Sequence, residues 1–157
     1  MRSTAHDVIW MNEALSMSEK KHDYRDIVFI ETELSGYRRG SLKVSVDFKA
    51  GRIAWYDTHM WNNDFVRALA PQLIEKIYSR LPETELLSWA TDYAKGIGHL
   101  MGSNTCSFPQ DWSVEIRFSD GEVLKACGVS NFPKQWSTYR RLIEEVAKTS
   151  FRLRWMW

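Results

Sequence analysis

"WSVEIRFSDGEVLKACG", Trp112 to Gly128, carries the plainest pattern in the chain. Trp112, Val114, Ile116 and Phe118 alternate with Ser113, Glu115, Arg117 and Ser119, and residues two apart on a strand share a face. One face is apolar and the other polar, so the strand is half-buried. Asp120-Gly121 tolerates the positive φ angles of a hairpin turn. A two-residue turn would pair Phe118 with Val123, whereas a three-residue turn with a bulge at Gly121 pairs Ile116 with Leu124. The second keeps the apolar residues on one side, and the bulged form is expected.

Working upstream, "SLKVSVDFK" sets Leu42, Val44, Val46 and Phe48 against Lys43, Ser45, Asp47 and Lys49. Ala50-Gly51 then turns the chain into "RIAWYDTH", and "DIVFIETEL" followed by "SGYRRG" supplies the strand and loop before it. Three strands in a row predict an antiparallel meander. Asn62 and Asn63 are candidate caps for a helix in which Val66, Leu69, Leu73 and Ile77 recur at helical spacing, with Pro71 starting or kinking it. A second helix is expected through "ETELLSWATDYAKGIGHLM", on Leu86, Trp89 or Ala90, Tyr93, Ile97 and Leu100. Downstream of the hairpin, Trp136, Tyr139, Ile143 and Val146 predict the buried side of a last helix, with Arg140, Arg141, Glu144 and Glu145 toward water. The ending "FRLRWMW" alternates again and predicts a terminal strand with Phe151 inward and Arg152 outward. Strands and helices are segregated along the chain, which predicts an α+β fold. The expected architecture is an antiparallel sheet of five to six strands, made of the meander, the second hairpin and the C-terminal strand, on about three helices. With neither an internal repeat nor a low-complexity linker, residues 1–157 read as a single globular domain.

The pattern Trp-x-x-Glu-Ile-x-Phe-x-Asp-Gly from Trp112, followed by Gly128, Phe132-Pro133 and Trp136, resembles a hairpin-plus-helix module of small bacterial and mobile-element proteins. The resemblance implies a bacterial or mobile-element origin and a structural module, and it carries no catalytic residue.

Composition narrows the classes further. The chain is 44% apolar and 26% charged, ordinary values for a globular protein. It contains no apolar run near the roughly 20 residues that span a bilayer, so no membrane association and a cytoplasmic location are expected. Cys106 and Cys127 lie outside any Cys-x-x-Cys pattern and are read as free thiols of a reducing compartment. Net charge is +1, which gives the whole molecule no long-range pull toward nucleic acid. Eight tryptophans stand out, and most are expected in the core.

No constellation carries chemistry. His6, His22, His59 and His99 are scattered, and only Asp57 and His59 sit at a spacing that shares a strand face, so no metal site is expected. "KGIGHLMG" has the glycines of a phosphate loop but neither the preceding strand nor the closing Lys-Ser/Thr, so no cofactor is expected either. The function expected is therefore a non-enzymatic protein-binding module, an inhibitor or accessory factor, compatible with an anti-defence protein such as an anti-CRISPR. Two alternatives stay open: a nucleic-acid binder using Arg38-Arg39, Arg140-Arg141 and the Arg152/Arg154/Trp155 tail, and an enzyme whose site is assembled from distant residues. In a meander, the loop after the first strand and the segment after the third emerge at one end of the sheet. That places the candidate binding residues, Tyr37, Arg38, Arg39, His59 and Trp61, in one patch.

Overall fold

The computed structural model describes residues 22–36, 40–58, 63–89, 111–128 and 132–152. Six antiparallel strands form one sheet: β1 (Ile27–Gly36), β2 (Gly40–Asp47), β3 (Arg52–Asp57), β4 (Phe65–Ala68), β5 (Trp112–Phe118) and β6 (Val123–Gly128). Their spatial order is β4-β3-β2-β1-β5-β6. The meander thus lies on one side of β1 and the second hairpin on the other, which makes the ten-residue β1 an interior strand. Two helices, α1 (Pro71–Arg80) and α2 (Trp136–Ala147), cover one face, together with a 3-10 turn at Leu81–Thr84 and a helical turn at 86–89. The fold is α+β, as expected.

The hairpin has the bulged register. Ile116 pairs with Leu124, and the amide of Phe118 donates to the carbonyl of Glu122 across three loop residues. Gly121 sits at φ +88°, a left-handed conformation that costs a residue without Cβ nothing. In β1 the run "IVFI" breaks simple alternation because a register shift against β5 falls between Ile27 and Phe29. A bulge of this kind lets Ile27 and Ile30, three apart, both face inward and both be buried.

The expected helix between Asn62 and Leu81 is corrected in its first half. Phe65–Ala68 is an edge strand, and the helix starts at Pro71. Spacing of Val66, Leu69 and Leu73 imitates a helix, but the residue before a proline is pushed out of the α region, and Ala70 has ψ 149°. Val66 is exposed, and the Leu69 amide bonds the carbonyl of Gly51 instead of a helical partner. β4 is the sixth strand that the sequence assigned to the C-terminus. Phe151 is buried and Arg152 exposed as expected, but neither lies in a strand, and residues 153–157 lie outside the described residues.

Aromatic rings tie the layers together. Trp89 meets Trp112 and Tyr139 edge-on, at 5.9 and 5.3 Å, and Phe151 packs against both Trp55 and Trp136. All four described tryptophans, Trp55, Trp89, Trp112 and Trp136, are buried. Outside the core, Glu145 of α2 accepts from Lys76 and Arg80 of α1, clasping the helices at their solvent side. Arg67 of β4 donates to the carbonyl of Ala147, where the C-terminal end of a helix favours a cation. Glu144, expected in water, is instead partly buried: it pairs with Arg140 and accepts the amide of Phe151.

The expectation of free thiols is also corrected. Cys127 is disulfide-bonded, in a chain whose one other cysteine is Cys106. Spacing alone could not show this, because bonding depends on how far apart the fold places the two Cα atoms.

Candidate functional site

Among the described residues, helices cover the face formed by Leu42, Val44, Val46, Ile53, Trp55, Val114, Ile116 and their neighbours, and none covers the other. Cross-strand pairing sets the composition of the opposite, open face. One row across the sheet runs Arg52, Asp47, Phe29, Arg117, Val123; the next runs Val66, Ala54, Ser45, Glu31, Glu115, Lys125; a third runs Tyr56, Lys43, Glu33, Ser113, Cys127, and the full burial of Cys127 shows that the face is covered at that end. Four acids (Glu31, Glu33, Asp47, Glu115) stand against four bases (Lys43, Arg52, Arg117, Lys125), so this face is neutral. Lys43 lies between Glu31 and Glu33, at 3.8 and 3.5 Å. Glu115 lies between Arg117 and Lys125, at 2.7 and 3.6 Å. Between the two clusters is a shallow depression of about 160 Å³ lined by Glu31, Glu33, Ser113, Glu115 and Lys125. Among the described residues, the large apolar side chains exposed to solvent are Tyr56, Val66 and Val123, and all three are on this face.

Tyr37, Arg38, Arg39, His59 and Trp61 lie outside the described residues. The strand ends that lead to them do meet: the Thr58 amide donates to the carbonyl of Ser41, and the Ser41 amide donates to Thr58 Oγ1 at 2.6 Å. The start of β2 and the end of β3 thus lie together at one end of the sheet.

Sequence reasoning missed a second cluster at the other end of β1. His22 Nε2 lies 2.8 Å from Asp120 Oδ2 and 3.6 Å from Glu122 Oε2. The ring stacks on Phe118 at 3.9 Å, and the other Asp120 oxygen accepts the amide of Glu122. That amide, with the His22 ring, holds the Asp120 carboxyl below its ordinary range. These are the residues that could hold a metal ion among those described. No spacing rule could have found them, because His22 and Asp120 are 98 positions apart.

One further polar pair is buried. Thr32 of β1 and Tyr139 of α2 share a hydrogen bond of 2.5 Å, both fully excluded from solvent, and burial pushes the Tyr139 hydroxyl well above its ordinary range. Such a pair cannot reach a substrate; it fixes the helix on the sheet. No helix among the described residues is long and apolar enough to cross a membrane. No protein-family model matches the chain, and no curated protein matches it.

Proposed function

We propose that the chain is a non-enzymatic protein-binding module, of the inhibitor or accessory-factor kind, that meets its partner with the open face of the sheet. The observation that carries this reading is that Tyr56, Val66 and Val123, from β3 and the two edge strands, all lie on one face that also bears alternating opposite charges. Apolar side chains within polar surroundings suit a protein interface, and the paired charges would supply register and selectivity. A neutral face whose Glu31, Glu33 and Glu115 are paired with its basic residues offers a phosphate backbone no net attraction, which argues against the nucleic-acid alternative here. Tyr37, Arg38, Arg39, His59 and Trp61 are proposed as an extension of this surface.

The test compares two baits in affinity capture at high salt: the wild-type chain and a Tyr56→Ser, Val66→Ser, Val123→Ser variant. These side chains are exposed, so the variant should fold. A protein held by the first and lost from the second supports the reading, with Arg38→Lys, Arg39→Lys and Trp61→Ala testing the extension. The same proteins on both baits would reject the open face, and salt-sensitive retention on heparin would restore nucleic acid. A cytoplasmic location is part of the proposal and has a condition, because a disulfide persists in a reducing compartment only when closed to glutathione. Alkylating free thiols at lysis and measuring the intact mass should find Cys127 protected; two alkylated cysteines would reject the disulfide.

A further inference from the structure

We propose that His22, Asp120 and Glu122 form a binding site for one divalent transition-metal ion of the zinc class, independent of the open sheet face. The donor set comes first: one imidazole nitrogen and two carboxylate oxygens, all three within 4.8 Å of one another. Ligands about 2.0–2.1 Å from a tetrahedral ion stand roughly 3.3 Å apart. The separations from His22 Nε2, 2.8 Å to Asp120 and 3.6 Å to Glu122, lie on either side of that spacing. Little movement is needed for an ion to enter.

Both halves of the site are held before any ion arrives. Stacking on the buried Phe118 orients the imidazole and leaves its side chain 18% exposed. The carboxylates sit at i and i+2 of the bulged turn, whose shape is set by Gly121 and by the Asp120 Oδ1 bond to the Glu122 amide. That bond uses one Asp120 oxygen and leaves Oδ2 for the ion. Charge points the same way: among the described residues the ion pairs of Asp120 and Glu122 are with His22 alone. Two carboxylates beside one imidazole suit a dication. An imidazole ligand favours zinc, nickel or copper over calcium and magnesium, which take all-oxygen shells. Three protein ligands leave the fourth position for water. The ion would bridge the segment preceding β1 to the β5–β6 turn, linking regions far apart in the chain.

Zinc chloride titrated calorimetrically into the full chain, in chelator-free buffer without reductant, tests the site. One equivalent should bind with a dissociation constant on the order of micromolar, without displacement by millimolar calcium. His22→Ala, Asp120→Asn and Glu122→Gln should each weaken it by about tenfold or more. Asn at 120 keeps the acceptor for the turn, and Glu122 is 66% exposed, so neither change endangers the fold. A His6→Ala, His59→Ala, His99→Ala variant should bind as wild type does. The proposal is overturned by the absence of saturable binding up to about 100 μM zinc, or by binding that survives His22→Ala and Glu122→Gln.

Discussion

Tyr139→Phe removes one hydroxyl from a site where both members of a hydrogen-bonded pair are fully excluded from water. The ring remains, with its edge-on contact to Trp89, so the change isolates the bond from the packing. What is left is the Thr32 hydroxyl, buried opposite a ring edge, and stranding a buried polar group costs about 1–3 kcal/mol. Thr32→Val strands the Tyr139 hydroxyl in the same way and should cost a similar amount. The double variant strands neither group, and replacing both partners by apolar groups of like shape is close to neutral. The two changes should therefore couple by about 2–6 kcal/mol, the double variant being nearer to wild type than the sum of the singles predicts. Urea unfolding followed by tryptophan fluorescence measures all four corners, provided the slope with denaturant stays constant. Additive costs, with coupling below about 0.5 kcal/mol, would refute the claim that this bond fixes α2 on the sheet.

Three further outcomes follow from the same structure. In the unfolded chain Tyr139 ionises near its ordinary value of 10.0, whereas burial keeps the native hydroxyl protonated far above it. Its contribution is intact below that pH and is lost above it by about 1.4 kcal/mol per pH unit, so Tyr139→Phe should flatten the alkaline fall in unfolding free energy. Phe151→Ala should cost about 3–5 kcal/mol and removal of residues 151–157 several degrees of melting temperature, while Arg152→Ala leaves both unchanged, because Phe151 is buried against Trp55 and Trp136 and Arg152 is exposed. An unchanged melting temperature after the deletion would refute the anchoring role of Phe151. Gly121→Ala meets no atom within 4 Å, so its cost of about 1–2 kcal/mol should be conformational alone and should shrink for Gly121→Asn, measured as a shift in urea midpoint.

Local alternation was enough to identify five strands, the bulged turn at Gly121 and the buried side of α2, because each depends on the period of a continuous run and on the φ that one residue tolerates. Where two periods compete, as at Val66, Leu69 and Leu73, the local signal pointed to a helix, and pairing with β3 on a free sheet edge settled it as a strand. The chain could say that apolar residues face inward but not which strands become neighbours. Placing β5 beside β1 is what sets Glu115 opposite Glu31 and assembles the neutral open face. Bonding at Cys127, the hydroxyl pair of Thr32 and Tyr139, and the approach of His22 to Asp120 are likewise tertiary facts. Each joins groups whose separation along the chain is far beyond any helical or strand period, and only the closing of the sheet on its helices brings such groups within a few ångströms.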